Sequence, residues 1–189
     1  MKIKLLKFKS VKSTNDVALR LIKRKNLMPT IILTEKQTQG RGTMGKKWVS
    51  IKGNLFFSIF YEIDQKKINF KHFAILNAYL LKRIISKEFS KKIKIKWPND
   101  LLFNNKKICG ILQEVVSYKE KNFLIVGIGI NTNLDPKNRG FPSTSLKDIT
   151  NKNIDNNKVF NKIKNTYENF LTKLKKYSYI ELRKYTETI

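Results

Sequence analysis

Apolar residues fall along this chain in two rhythms. Where they alternate or run together over a short stretch they predict strands, and where they recur every three or four residues they predict helices. KIKLLKF (2–8) reads as a first strand. Ser13 or Thr14 then stands ready to cap a helix through NDVALRLIKRK (15–25), in which Val17, Ala18, Leu21 and Ile22 share one face. TIILTE (30–35) is a β-rich run, and GNLFFSIFYEI (53–63), apolar on both faces, predicts a buried strand. NFKHFAILNAYLLKRIISKEF (69–89) carries helical periodicity. KIKIKW (92–97) alternates as a strand does, and WPND makes a turn. DLLFNNKKICGILQEVV (100–116) predicts a hairpin with Asn104 and Asn105 at its tip. NFLIVGIGINTN (122–133) is a further buried strand ending in amides. Residues 131–153 read as a polar loop, and helices follow over 157–177 and 179–187. Helices interspersed with hairpins, without an internal repeat or a domain-sized linker, predict an α+β domain with a mixed β-sheet flanked by helices.

Composition narrows this picture. The 189 residues suit one domain, and 41% hydrophobic content argues against disorder. A lone cysteine, Cys109, excludes an intramolecular disulfide framework and fits a reducing cytosol. No apolar run is long enough to span a bilayer, and the N-terminus is a poor secretory signal, so a cytoplasmic protein is expected. The net charge of +26 raises a nucleic-acid-binding module as one reading. The lysines are scattered and the aromatics lie inside apolar runs, so compositional bias accounts for the charge better than a selected patch. Such a surface still attracts anionic ligands and acidic partners at long range.

Three stretches carry chemistry. In EKQTQGRGTMGKKWVS (35–50), Gly40, Gly42 and Gly45 stand among Arg41, Lys46 and Lys47, and Trp48 closes the run. Glycines let backbone N–H groups approach an anion, and arginine offers a planar fork for carboxylate or phosphate. The spacing matches neither the P-loop nor the dinucleotide fingerprint. In KWPNDLLFNNKKICG (96–110), Lys96, Trp97, Asn99 and Asp100 crowd a tight turn, and Lys107 follows the hairpin tip just before Cys109 and Gly110. In VGIGINTN (126–133), Gly127 and Gly129 interrupt a strand, as happens where a ligand or another backbone approaches closely or where the strand bulges.

Together these stretches resemble the biotin–protein ligases. GRGTMGKKW (40–48) is similar to that family's glycine-rich loop, KWPND (96–100) to its turn, KICGILQE (107–114) to its lysine-bearing strand, GIGIN (127–131) to its glycine strand, and Ser13-Thr14-Asn15 to its early S-T-N. The resemblance runs from about residue 8 to 145. It implies the class II aminoacyl-tRNA synthetase-like catalytic fold of biotin and lipoate ligases. It also implies a two-step reaction, in which biotin and ATP with Mg²⁺ give biotinoyl-5′-AMP and the biotin then passes to a lysine of the biotin carboxyl carrier protein of acetyl-CoA carboxylase. By the same resemblance, Lys107, Arg41 and Asp100 are the catalytic group. Ser13, Thr14, Asn15, Gln37, Gly40, Arg41, Lys107 and Gly110 form the biotin site. Arg41, Gly42, Trp48, Lys96, Asn99 and Asn131 form the ATP and adenylate site, with Trp48 as a stacking wall. No metal ligand is assigned with certainty, although Asn99 and Asp100 face the ATP and Mg²⁺ end.

Two departures from the family pattern carry expectations. Thr43 stands where the family loop has its second arginine, which predicts a leakier adenylate. The chain is expected to be a single catalytic domain over 1–189, with no N-terminal winged helix, hence no operator DNA binding, and with a C-terminal β-barrel absent or very short. A monomer or a homodimer is expected, and no membrane association. The alternatives are a lipoate–protein ligase of the same fold and a basic nucleic-acid binder without catalysis. His72 reads as surface or satisfied core, and Cys109 as a small buried hydrophobe.

Overall fold

In a computed structural model, described here for residues 1–137 and 140–187, a seven-stranded mixed sheet forms the centre. In chain order the elements are β1 (Lys4–Phe8), α1 (Thr14–Lys23), β2 (Thr30–Thr34), β3 (Leu55–Ile63), α2 (Phe70–Glu88), β4 (Lys94–Lys96), β5 (Asp100–Phe103), β6 (Lys106–Tyr118), β7 (Lys121–Ile130), α3 (Leu146–Thr150), α4 (Asn156–Leu174) and α5 (Tyr179–Glu187). The strands lie in the order β1-β2-β3-β7-β6-β5-β4. β1 runs parallel to β2 and every other pair is antiparallel.

Strand alternation decides what each face of the sheet holds. On β3, Phe57, Ile59, Tyr61 and Ile63 join Leu124, Val126 and Ile128 of β7 in the main core, with Leu76, Leu80 and Ile84 of α2 and Phe160, Ile163 and Phe170 of α4. Each apolar side chain of this size contributes about 1.5–3 kcal/mol on burial, so this face holds the domain together. The opposite face carries a smaller cluster in which Val17, Ala18 and Ile22 of α1 cover Ile32, Phe60, Phe123 and Ile125. α1 covers only part of that face. Beyond its N-terminus the same alternation continues through Ser58 of β3, Gly127 and Gly129 of β7, and Gly110, Leu112 and Glu114 of β6.

Local chemistry accounts for the element ends. Asn69 caps α2 by accepting the His72 N–H, and Asp155 caps α4 by accepting those of Asn157 and Lys158. Asn104 and Asn105 both have left-handed φ, +46° and +61°, as the expected two-residue hairpin tip requires. Three expectations need correction. The helix start at 13–14 holds, but Ser13 makes no side-chain cap bond, and the Thr14 hydroxyl is engaged by Gln37 instead. The strand over 92–97 is regular only over Lys94–Lys96, because it lies at the sheet edge and turns at Trp97. The loop over 131–153 contains α3, closed by a capping box in which Ser145 and Asp148 satisfy each other's backbone N–H. Ser-Leu-Lys-Asp is a legible capping signature that the short apolar content of the segment obscures.

Candidate active site

The uncovered part of the second face is a cleft. It is lined by Ser13, Thr14 and Asn15 from the start of α1, Gln37 after β2, Arg41 to Thr43 and Trp48 of the glycine loop, Asn99 and Asp100 of the turn, and the glycines of β6 and β7. Residues more than 100 positions apart in the chain thus share one surface because β7 lies between β3 and β6.

A bulge aims the central lysine. Between β5 and β6, Leu101 pairs with Cys109 but Leu102 with Lys107, so Ile108 is the extra residue. Ile108 and Cys109 consequently both enter the main core, while Lys107 and Gly110 both line the cleft. Regular alternation would have turned Lys107 to the Cys109 side. The bulge also frees backbone groups that the 142–144 segment satisfies: the Lys107 N–H donates to the Pro142 carbonyl and the Thr144 N–H to that of Lys107. The Lys107 ammonium lies 2.7 Å from an Asp100 carboxylate oxygen and 5.3 Å from the centre of the Trp48 ring. Burial pushes the Cys109 thiol up, with the Asp100 charge adding to it. A protonated, core-facing thiol is no nucleophile, which agrees with its reading as a hydrophobe.

Trp48 occupies the cleft floor. Gly110 and Gly129 are paired neighbours across β6 and β7, and a Cβ on either would stand 2.5 or 2.4 Å from indole atoms. The ring therefore lies flat on two bare backbones. Its Nε1 is buried without a hydrogen-bond partner, and the free volume left in the cleft is about 40 Å³. Small-molecule sites are roughly 300 Å³ or more, so a ligand of ordinary size enters only if the indole moves. An adjoining hollow of about 480 Å³ is lined by Lys46, Lys47, Lys96, Asp100, Lys107, Asn131 and Phe141 among others.

A polar chain runs along the other wall. The Gln37 amide donates to Ser50 and its carbonyl oxygen accepts from the Thr14 N–H and hydroxyl. The Ser58 hydroxyl lies 2.6 Å from that of Thr14 and 2.5 Å from Asn15 Oδ1. The Asn15 amide donates to Glu114 at 2.7 Å. Gly127 is a glycine for this reason: a Cβ there would lie 2.3 Å from Asn15 Oδ1. The strand is in regular register at Gly127 and Gly129, so close approach, by Asn15 and Trp48, explains both and a bulge explains neither.

Arg41 differs most from expectation. Its guanidinium makes a two-pronged contact with Glu114, at 2.9 and 2.8 Å, and a third contact with Asp16 at 2.9 Å. The Glu114 hydrogen bond is the main cause that holds the group above its ordinary value, against the opposing cost of burial. A cation so paired is not presented to an incoming anion. Gly40, expected at the biotin site, does not line the cleft; its carbonyl accepts the Trp48 N–H and closes the loop's neck. Lys96 stands outside the cleft with its ammonium 4.0 Å over the Phe141 ring, in the adjoining hollow. The Asn99 amide ties the turn to the Ile111 carbonyl. Asn131 is spent on the Lys107 and Thr144 carbonyls, leaving only its buried Oδ1 without a partner. Ser58, Glu114 and Asp16 were missed as site residues. For Glu114 the signal was its even spacing from Gly110 and Leu112 along one strand face. No cluster of three or more metal-ligating side chains occurs among the described residues.

Comparison with known proteins agrees with this fold. Residues 7–131 match the model of the Biotin/lipoate A/B protein ligase family. The chain is similar to the bifunctional ligase/repressor BirA of Bacillus subtilis, 37% identical over 122 residues that cover 64% of this chain and 37% of that protein. It is similar to the biotin–[acetyl-CoA-carboxylase] ligase of Mycobacterium tuberculosis, 26% identical over 80% of this chain and 58% of the relative. Among solved structures, the biotin protein ligase from Aquifex aeolicus in complex with biotin and ATP superposes with a TM-score of 0.77 at 33% identity, covering 94% of this chain and 74% of that one. The chain spans about two fifths of the length of the Bacillus relatives.

Proposed function

The chain belongs to the biotin/lipoate A/B protein ligase family, and from that membership we propose that it activates biotin with ATP and transfers it to a lysine of a carrier protein. The observation that carries the proposal is convergence: Ser13 and Thr14, Gln37 and Trp48, and Asn99, Asp100, Lys107 and Gly110 come from three separate stretches and line one cleft. The relatives named as biotin ligases favour biotin over lipoate as the acid.

Chemistry assigns the roles. A carboxylate is a poor acyl donor until its oxygen becomes part of a leaving group. In the first step the biotin carboxylate attacks the α-phosphate of ATP, a bond to phosphorus forms, and pyrophosphate leaves. In the second a lysine amine attacks the carbonyl of the mixed anhydride and AMP leaves. Two anions meet in the first step, so a cation must lie between them. With Arg41 facing two carboxylates, Lys107 is the cation left to the cleft among the described residues. The ion pair with Asp100 at 2.7 Å holds the Lys107 ammonium in place, and an ammonium has three N–H donors to offer to carboxylate and α-phosphate. Mg²⁺ would arrive with the nucleotide, where it neutralises phosphate charge; Asp100, the one carboxylate lining the cleft among the described residues, has the oxygen donor for it. Thr14, Asn15 and Gln37 offer the donors and acceptors that a ureido ring needs, and the hollow with Lys46, Lys47 and Lys96 is the approach for phosphates. The acyl adenylate hydrolyses in water, and an indole closing over it excludes water. The acceptor we propose is the biotin carboxyl carrier protein of acetyl-CoA carboxylase. Among the described residues no helix is long and apolar enough to cross a membrane.

The deciding experiment incubates the protein with α-labelled ATP, Mg²⁺ and either biotin, lipoate or no acid, then separates the products. Biotinoyl-AMP formed only with biotin is the expected result. Lipoyl-AMP instead would move the substrate to the other branch of the family, and no adenylate from either acid, with or without added carrier protein, would overturn the proposal.

A further inference from the structure

We infer that Glu114 and Asp16 are positioning residues that latch the glycine loop through Arg41, so that Arg41 acts on the site by fixing Trp48 and not by touching the reacting anions. The catalytic part of this inference rests on the ligase reading above; the latch itself does not.

Three elements meet at the guanidinium: the loop, β6 through Glu114, and the first turn of α1 through Asp16. One positive charge faces two carboxylates. An anionic ligand near Arg41 would therefore meet a local excess of negative charge, which argues against the anion-contacting role that the arginine suggests by itself. Exposed ion pairs generally contribute little because two long side chains must be ordered to form them. This one differs in two respects. The contact to Glu114 is two-pronged, the geometry in which guanidinium and carboxylate fit best. Glu114 is also held in place beforehand, because Asn15 donates to it and Asn15 is itself fixed by Ser58 and the Leu112 carbonyl.

Arg41 in turn is rigidly tied to Trp48. Arg41 and Lys47 form an antiparallel bridge, the Gly42 N–H donates to the Lys46 carbonyl at 2.7 Å, and the Trp48 N–H to the Gly40 carbonyl at 2.9 Å. Holding Arg41 therefore holds the neck from which the indole projects onto Gly110 and Gly129. The polar chain from Gln37 through Thr14, Ser58 and Asn15 reaches Glu114, so the wall that would read the substrate and the latch that sets the loop are one connected structure.

The test uses the full chain and needs neither biotin nor ATP. Trypsin cleavage after Lys46 and Lys47 is followed by mass spectrometry in the wild type and in Glu114→Gln, Arg41→Gln, Asp16→Asn and the Glu114→Gln/Arg41→Gln double variant, with thermal melting to confirm that each is folded. Loss of a charge-assisted contact should speed loop cleavage about tenfold in Glu114→Gln and Arg41→Gln, and about threefold in Asp16→Asn. The double variant should be no faster than Arg41→Gln alone, since that substitution already removes the Glu114 contact. Cleavage of Glu114→Gln at the wild-type rate, or multiplying effects in the double variant, would overturn the latch whether or not the protein is a ligase. In the adenylation assay Glu114→Gln and Arg41→Gln should shift the KM for biotin in the same direction and by a similar factor, with smaller changes in kcat. A loss of kcat in Arg41→Gln that Glu114→Gln does not share would return Arg41 to the anions.

Discussion

The Lys107 ammonium and the Asp100 carboxylate stand 2.7 Å apart on adjacent strands, with side chains 24% and 17% exposed. The pair exists because the bulge at Ile108 turns Lys107 out of the core side of β6. In the proposed mechanism Lys107→Ala removes the cation from between the two reacting anions. Adenylate formation should fall by about 10²–10³-fold, the usual cost of losing one electrostatic stabiliser at a developing charge. The domain should stay folded, with a stability loss of about 1 kcal/mol, between the limits for exposed and buried pairs. Single-turnover formation of labelled adenylate measures the first effect and circular dichroism the second. A normal rate would remove Lys107 from the mechanism.

Trp48 has no partner for its Nε1 while it lies on Gly110 and Gly129, and under the proposed function it fills the space that biotin needs. Biotin binding should therefore move it. The other indole, Trp97, is half exposed and packs edge-on to Tyr79, so Trp97→Phe leaves Trp48 as the sole reporter. Saturating biotin should shift or quench the emission of that variant. Unchanged emission, with binding verified by calorimetry, would mean that the ring stays and biotin sits elsewhere.

Gly127 faces the Asn15 carboxamide across 2.3 Å of would-be Cβ contact. Gly127→Ala should push Asn15 away from Ser58 and Glu114 and cost about 1–3 kcal/mol, a typical range for overpacking a fixed site. Urea titration reads that loss directly. The same variant should weaken biotin binding, because Thr14 shares Ser58 with Asn15. Wild-type stability would show that the polar chain is looser than its geometry indicates.

The strands and long helices were legible because periodicity depends only on neighbours along the chain. The cleft membership of Thr14, Gln37, Trp48, Asp100 and Lys107 was legible as motif resemblance. What was illegible depended on distant pairing. Nothing local says that Ile108 is a bulge; that follows from how β5 meets β6. Arg41 looked like an anion receptor because its two carboxylate partners lie 25 positions before and 73 after it. Gly127 and Gly129 announced a close approach, but that Asn15 takes one place and Trp48 the other is a property of the assembled sheet. Helix α3 is too short for a periodic pattern, and only its capping residues mark it.

Thr43 begins the tip of the loop, a short turn over Thr43–Gly45 in which Met44 has a left-handed φ of +54° and is 93% exposed. Among the described residues the Thr43 side chain makes no hydrogen bond across the cleft, and the tip is closed by backbone contacts alone, Gly42 N–H to Lys46 and Lys46 N–H to Thr43. An arginine in its place could reach an anion or Asp100; a threonine cannot. The adenylate should therefore escape more readily than from a loop with that arginine, and free biotinoyl-AMP acylates any exposed lysine. With ATP, biotin and a bystander protein, the wild type should label the bystander. Thr43→Arg should lower that labelling about tenfold, the factor expected from one added charge-assisted hydrogen bond, while labelling of the carrier is kept. Streptavidin blotting compares the two. An unlabelled bystander in the wild type would show that the neck, held by Arg41, retains the intermediate without help from the tip.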